Sequence, residues 1–186
     1  MSHHKRVGNW MQTFSGRQFW PMDPKPEDVC ILDIANSLGK ICRYNGHCKK
    51  FYSVAEHSYY VSKYVEPQNA LWGLLHDASE AYMCDLIRPL KNEPFARSFR
   101  LFENKIIEVI AEAFELGSKM IPYEVKLVDN AILADELEKN NAAPPAPWEG
   151  IENTKLNIDF EFWSPEEAPQ KFLNRFFEIY KGEMKK

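Results

Sequence analysis

The segment LWGLLHDASEAYMCD, residues 71–85, decides the fold of this chain and points to its chemistry. Its apolar residues recur at roughly helical spacing, which predicts one helix with a face in the core. That face also carries His76, Asp77 and Glu80, and Asp85 lies near its end. Because buried carboxylates are costly without a positive partner, we expect a bound cation there. Imidazole and carboxylate ligands together suit one divalent transition metal ion, either Zn, Mn, Co or Fe.

Composition limits the class of protein. The 186 residues carry a net charge of −4, and 45% of them are hydrophobic, which predicts a single domain over residues 1–186. This charge argues against a nucleic-acid partner, and no apolar run approaches the ~20 residues of a membrane span. The N-terminus lacks the apolar stretch of a signal peptide, and the four cysteines form no CxxC pair. We therefore expect reduced thiols, a cytoplasmic location and no membrane partner.

Helical periodicity and capping residues predict an all-α fold. Residues 1–27 are polar and rich in proline, which predicts an extended N-terminal segment. Ser53 and Glu56 have the spacing of a capping box at a helix start, and Ser164 begins a second strong start. Residues 141–164, which include AAPPAPWEG, are predicted to be a loop before the C-terminal helix. The predicted helices cover residues 29–38, a stretch from Ser53, 71–85, 94–116, 123–140 and a stretch from Ser164.

The segment CRYNGHCKKFY, residues 42–52, is rich in turn formers and locally basic. It is either a solvated loop or short hairpin, or a positive, aromatic lip for an anionic ligand that contains a ring. Cys42, His47 and Cys48 lack a fourth partner at the spacing of a structural zinc site. The chain also lacks GxGxxG, GxxxxGK[ST] and GxSxG, which argues against Rossmann, P-loop and α/β-hydrolase chemistry.

His57, the pair His76-Asp77 and Asp129 follow the order H…HD…D of the HD-domain phosphohydrolases. The similarity extends to SVAEHS, LWGLLHDASEAY, DLIRPLK and VDNAILADE, and covers the chain from about residue 12 to about residue 180. The chain resembles the small single-domain HD enzymes of bacteria and phages. That group includes 5'-deoxynucleotidases and phage deoxyadenosine triphosphate triphosphohydrolases. The resemblance implies an HD-domain helical bundle.

The resemblance also implies roles for the residues around the HD pair. The implied metal ligands are His57, His76, Asp77 and Asp129. Glu80 follows His76 by one helical turn, so it is expected to orient the attacking water or act as its base. Asp85 is expected to help place the nucleophile. For Glu80, a solvated helix face remains the alternative.

The resemblance suggests a nucleotide pocket as well. Arg43 with Tyr44 matches an Arg-Trp element that lines the pocket of the 5'-nucleotidase relatives, with tyrosine in place of tryptophan. Lys91 resembles a phosphate-contacting lysine of the phage branch. Lys49 and Arg88 are further candidates, and each of them is equally well explained as surface charge. Small HD enzymes of this kind self-associate, so a homo-oligomer, either a dimer or a hexamer, is expected.

No histidine follows His76, whereas dinuclear HD enzymes resemble one another in having additional histidine ligands after the HD pair. One tightly bound metal is therefore expected, with room for a Mg²⁺ carried by the nucleotide phosphates. The best hypothesis is a dNTP triphosphohydrolase, dATP first, that releases triphosphate or phosphate. The alternatives are a 5'-deoxyribonucleoside monophosphatase and a non-catalytic nucleotide-binding module. Retention of Glu80 and Asp85 beside all four ligands favours an enzyme.

Overall fold

The computed structural model describes residues 6–148, 151 and 155–182. It confirms a mostly helical chain, and none of its helices has the length and apolar content needed to cross a membrane. The described residues contain one two-stranded antiparallel hairpin, which consists of β1 (Met11–Gln12) and β2 (Gln18–Phe19). The α-helices are α1 (Ile31–Leu38), α2 (Val54–Tyr64), α3 (Ala70–Leu75), α4 (Glu80–Met83), α5 (Arg88–Lys91), α6 (Arg97–Ala113), α7 (Tyr123–Asn140) and α8 (Glu167–Ile179).

The core lies where α1, α2, α3 and α8 pack against one another. Phe172 and Phe176 of α8 are one turn apart and fully buried, as the sequence predicted for this helix. The backbones of α2 and α3 approach closely at Gly73, where an added Cβ would lie 2.9 Å from the Cα of Ser62. Since α2 and α3 carry His57 and His76 at or near their ends, this packing sets the distance between the two histidines.

The prediction of one helix across residues 71–85 is wrong. The α-helix ends at Leu75, and the next four residues form a turn in which Ala78 donates to the Leu75 carbonyl at 3.0 Å. After the short α4, Cys84 takes a φ of 89°, which stops the helix before Asp85. The chain therefore turns at the HD pair, because hydrogen bonds three residues apart replace those of the α-helix. His76 and Asp77 lie at the end of a helix rather than along its side.

The N-terminal segment contains structure that the sequence analysis did not predict. Its hairpin brings Phe19 into the core, where the ring stacks on Tyr82 at 3.8 Å between centroids. The buried carboxylate of Asp33 accepts hydrogen bonds from the backbone N of Ser15 at 2.6 Å and its Oγ at 3.0 Å. These contacts hold the hairpin against α1 and α4.

Only one of the two predicted helix starts has a complete, reciprocal capping box. Ser164 and Glu167 form a reciprocal capping box, with side chains accepting from each other's backbone N at 3.2 and 3.0 Å. At α2, Ser53 accepts from the backbone N of Glu56 at 3.1 Å, as predicted. The Glu56 carboxylate does not complete that box. It is fully buried and accepts three backbone hydrogen bonds, at 2.8 to 3.1 Å, from Glu161, Phe162 and Trp163.

Replacing Glu56 with alanine is expected to lower the free energy of unfolding by about 3 kcal/mol, because buried backbone N–H groups lose their acceptor. Urea denaturation followed by circular dichroism measures this change. Glu66→Ala removes an exposed carboxylate just after the same helix and should change the value by less than about 0.5 kcal/mol. Equal stability of the two variants would contradict the anchoring role of Glu56.

Candidate metal centre and cavity

Two buried histidines supply ring nitrogens to one point in the structure. His57, on the first turn of α2, donates from Nδ1 to Glu136 Oε1 at 2.7 Å. His76, which follows α3, donates from Nδ1 to the Gly73 carbonyl at 2.8 Å. These bonds leave both Nε2 atoms facing the site, and neither buried Nε2 has a hydrogen-bond partner among the described residues. Such an arrangement, with Nδ1 held by an acceptor, is typical of metal-binding histidines.

Two aspartates complete the group. Asp129 Oδ1 lies 3.0 Å from His57 Nε2, without the geometry of a hydrogen bond, and 4.0 Å from His76 Nε2. Asp77 Oδ2 lies 3.2 Å from His76 Nε2 and 3.8 Å from His57 Nε2. The ligand atoms of His57, His76 and Asp129 all lie within 4.8 Å of one another, so this group could hold a metal ion. The structure thus brings all four predicted ligands together.

The charges around this group keep both aspartates ionised. Burial raises the pKa of Asp77, but the charges of His76, His57 and Arg43 outweigh burial and hold that pKa well below its usual value. The pKa of Asp129 is likewise lowered, because its contact with His57 outweighs its burial. Burial and the charge of Arg43 lower the pKa of His57, but Glu136 and Asp129 outweigh them, and the net result is a pKa raised to about 9. His57 must release its proton to bind a metal.

Glu136 is a residue of the site that the sequence analysis did not identify. It lies on α7 two turns after Asp129, is fully buried, and holds His57 through Oε1. Its other oxygen, Oε2, accepts from Arg43 Nη2 at 3.1 Å and Nε at 3.3 Å, and from the Tyr44 hydroxyl. Burial raises the pKa of Glu136, but Arg43 and His57 lower it to about 2, so it stays ionised. The sequence contained one signal for Glu136: it follows Asp129 by seven residues, or two helical turns, so both side chains lie on the same side of α7.

Arg43 and Tyr44 therefore have a structural role that the sequence did not predict: they hold the carboxylate of Glu136. Most of their donor groups satisfy Glu136, and Arg43 Nη1 lies 3.8 Å from Asp77 Oδ2. Arg43 also lines the cavity described below, so its expected place in a nucleotide pocket stays a prediction beside this contact. Its guanidinium is a buried counter-ion between two carboxylates, because α7 brings Glu136 directly beneath the loop.

A cavity of about 730 Å³ opens above the metal-ligand group. This volume lies within the usual range for sites that bind small molecules, about 300–1,000 Å³. Its wall combines acidic, basic and aromatic side chains. Among the lining residues are Arg43, Tyr44, Asp77, Glu80, Asp85, Arg88, Lys91, Asp129 and Trp148.

Glu80 and Asp85 both line this cavity. Glu80 begins α4 and is buried, and its Oε2 has no hydrogen-bond partner among the described residues. Burial, followed by the charges of Asp77 and Asp85, raises the pKa of Glu80 well above its usual value. Burial also raises the pKa of Asp85, which is half-buried. The alternative of a solvated helix face for Glu80 is therefore wrong.

The three predicted cationic residues outside the metal centre differ in position. Lys91 lines the cavity and donates to Glu103 Oε1 at 2.6 Å, and Arg88 lines it and donates to Asn130 Oδ1 at 3.1 Å. Lys49 is exposed and is absent from the described cavity wall, so the structure does not bring it to the site. Its backbone N donates to the Asn140 carbonyl at 2.7 Å, which fixes it beyond the C-terminal turn of α7.

Two aromatic side chains in contact with each other line the cavity. The rings of Tyr44 and Trp148 meet edge to face, with centroids 6.1 Å apart, and both residues line the wall. Trp148 is 43% exposed. Residues 141–164 were predicted only as a loop, and nothing in that prediction placed Trp148 at the site, because its position depends on the return of the chain from α7.

No protein-family model matches the chain. The Escherichia coli K12 protein YfdR, described as uncharacterized, is 35% identical over 174 residues, which cover 92% of this chain and 96% of YfdR. The chain belongs to the YfdR family. A second relative, an uncharacterized protein of Rhodobacter capsulatus, is 40% identical over 91 residues, which cover 44% of this chain and 46% of that protein.

In this member of the YfdR family, Glu136→Gln is expected to weaken metal binding about 10- to 100-fold, because His57 loses an ionised acceptor behind its Nδ1. Competition with a chromogenic chelator measures the dissociation constant. Glu138→Gln is the matched control, since Glu138 lies on the same helix, is exposed and pairs with Lys155. Identical metal affinity in the two variants would remove Glu136 from the site.

Proposed function

We propose that this protein is a divalent-metal-dependent phosphohydrolase of the HD-domain class that acts on deoxynucleotides, with dNTPs, and dATP first, as substrates. One observation carries the proposal: two buried Nε2 atoms, which have no hydrogen-bond partner in the described part of the chain, meet two carboxylates beneath a cavity of about 730 Å³. Buried polar atoms without partners are rare in proteins, and a bound cation accounts for both. The order of the ligands in the chain, which resembles that of HD enzymes, supports the same class.

We assign His57, His76, Asp77 and Asp129 to one tightly held Zn, Mn, Co or Fe ion. When bound, such an ion polarises a phosphate oxygen and lowers the pKa of a coordinated water toward about 7. The nucleotide can bring its own Mg²⁺ on its phosphates. The mixed imidazole and carboxylate donor set fits these metals, while an all-oxygen set would favour Mg²⁺, Ca²⁺ or Mn²⁺.

Glu80 and Asp85 are assigned to the proton of the attacking water. Glu80 is a buried carboxylate whose Oε2 has no hydrogen-bond partner among the described residues, and a raised pKa suits a group that accepts a proton. Asp85 lies at the same wall and helps to place the water. Lys91 and Arg88 line the cavity from α5, from which their positive charges can attract the phosphates of a nucleotide.

Tyr44 and Trp148 are assigned to the base and sugar. Aromatic side chains stack on any base, so selection among bases requires close packing and hydrogen bonds at the base edge. A preference for deoxyribose would require packing against the sugar that leaves no room for a 2'-hydroxyl. The preference for triphosphates rests on the resemblance of residues 42–58 and 71–82 to the phage branch.

Hydrolysis of dATP, dGTP, ATP and dAMP, each with added metal and with chelator, tests the proposal. We expect release from dATP to be fastest and to stop with chelator, and product analysis separates triphosphate from orthophosphate. Faster hydrolysis of dAMP would identify a 5'-deoxyribonucleoside monophosphatase. Nucleotide binding without any release, whatever the metal, would identify a non-catalytic binding module.

Trp148→Ala is expected to raise the KM for dATP about tenfold with little change in kcat, because stacking on a base is worth about 1–3 kcal/mol. Steady-state kinetics measure both constants. Trp10→Ala is the matched control, since Trp10 is a half-exposed indole in the N-terminal segment and does not line the cavity. An unchanged KM in Trp148→Ala would place the base elsewhere.

Self-association as a dimer or hexamer is part of the same proposal. Tyr123 and Leu127 lie one turn apart on α7 and are 74% and 51% exposed, so an apolar strip faces outward there. Exposed apolar patches are typical of interaction surfaces. Light scattering coupled to gel filtration measures the number of chains.

A further inference from the structure

The loop that carries Arg43 and Tyr44 is closed at its base by backbone pairing. Val54 donates to the Ile41 carbonyl at 3.0 Å, and Arg43 donates to the Tyr52 carbonyl at 2.9 Å. Cys42 and Ser53 form an antiparallel bridge between these two bonds. Residues 43–51 therefore leave and rejoin the body of the protein at one place.

Two thiols meet inside this loop. The Sγ atoms of Cys42 and Cys48 are 3.6 Å apart, and both residues are half-buried. Cys30 and Cys84, the other two cysteines, are free and have no sulfur contact among the described residues. A pair of thiols in contact can be joined with a small movement, because a disulfide needs an S–S distance of about 2.05 Å.

We propose that Cys42 and Cys48 are a modification site, a dithiol that oxidises to a disulfide across the loop bearing Arg43 and Tyr44. The oxidant is a small-molecule disulfide such as oxidised glutathione. Each cysteine gives up its proton, two electrons pass to the oxidant, its S–S bond breaks to give two thiols, and one bond forms between the Sγ atoms. The exchange passes through a mixed disulfide with one of the two cysteines.

The backbone of this loop gives the cross-link a physical effect. Tyr44, Asn45 and Gly46 have φ angles of 57°, 52° and 80°, so three successive residues lie in the left-handed region. Such a conformation persists only where contacts hold it. A disulfide removes open forms of the loop, which favours the arrangement in which Arg43 and Tyr44 donate to Glu136. The site thereby links the redox state of the loop to the residue that holds His57.

The test treats the full-length protein with oxidised glutathione. Burial raises the pKa of the Cys48 thiol to about 11, so exchange is slow at neutral pH and the incubation is run at pH 8.5. We expect titratable thiols to fall from four to two, peptide mass spectrometry to find a Cys42–Cys48 link, and Tm to rise on the order of 5 °C. Dithiothreitol should reverse all three changes.

Cysteine variants separate this site from the other thiols. Cys42→Ser and Cys48→Ser should each show no internal link and no rise in Tm, whereas Cys30→Ser and Cys84→Ser should still form it. Four titratable thiols after treatment of the wild type, glutathione on Cys84 alone, or a link only between chains would each overturn the proposal. The wild-type measurement decides the question even if one variant fails to fold. No nucleotide hydrolysis enters the test, so its outcome is independent of the proposed function.

Discussion

His76→Ala is expected to abolish tight metal binding and to lower phosphate release from dATP about 10³-fold or more, because a lost metal no longer activates the water. The imidazole Nε2 is one of two buried nitrogens that face the candidate metal centre without a hydrogen-bond partner among the described residues. Alanine leaves Asp77 and Asp129 with one nitrogen ligand fewer beside them. Loss of a ligand costs more than loss of an outer contact, which by itself weakens metal sites about 10- to 100-fold. Elemental analysis after dialysis measures the metal, and an assay of orthophosphate and triphosphate measures turnover.

His47→Ala is the control for this prediction. His47 is an exposed histidine in the loop before α2, so metal content and turnover should stay at the level of the wild type. Asp77→Ala should behave as His76→Ala does, because its Oδ2 lies 3.2 Å from His76 Nε2. Full metal occupancy in His76→Ala or Asp77→Ala would end the assignment of the centre.

Glu80→Gln is expected to lower turnover about 10²- to 10⁴-fold, the usual contribution of a positioned acid–base group, while metal content and nucleotide affinity remain unchanged. The glutamine keeps the size of the side chain but cannot take up a proton. Glu80 is suited to that role because it is a buried carboxylate at the cavity wall, and its Oε2 has no hydrogen-bond partner within the described ranges. Single-turnover kinetics at saturating nucleotide isolate the chemical step, and calorimetry measures binding.

Glu108→Gln supplies the matched change at an exposed position of α6 and should leave turnover unchanged. Near-normal turnover in Glu80→Gln would assign the proton to Asp85, the second carboxylate of the wall. Loss of metal in Glu80→Gln would instead make Glu80 a ligand. Turnover and metal content together therefore show whether Glu80 is a base, a metal ligand or a residue without a role in the reaction.

The metal centre depends on a chain of contacts behind it. Arg43 and Tyr44 donate to Glu136, which accepts from His57. Glu136 is fully buried, so removal of one of its partners leaves a buried charge less well satisfied. For this reason Arg43→Ala is a poor probe of substrate binding, although the sequence analysis placed Arg43 in the pocket, and Trp148→Ala is the sharper one.

The sequence by itself determined the features that depend on neighbours along the chain. Apolar periodicity and a preceding proline predicted a helix over Tyr123–Asn140, and the structure has the same bounds. The spacing of Ser164 and Glu167 predicted a helix start that the reciprocal hydrogen bonds confirm. The HD pair pointed to a transition metal, because imidazole and carboxylate suit such ions, and the resemblance to HD enzymes added His57 and Asp129 to His76 and Asp77.

Only the tertiary structure decided the contacts between distant parts of the chain. Glu136 meets His57 across 79 residues, and Glu56 meets the backbone of Trp163 across 107 residues. Local signals misassigned Glu56 to a capping box and residues 71–85 to one helix, because helix propensity is weak beside the burial of a charge and the close packing of α2 on α3. The hydrogen-bond donors of a buried carboxylate depend on which helices and loops pack together. The periodicity of a single segment carries no information about this packing.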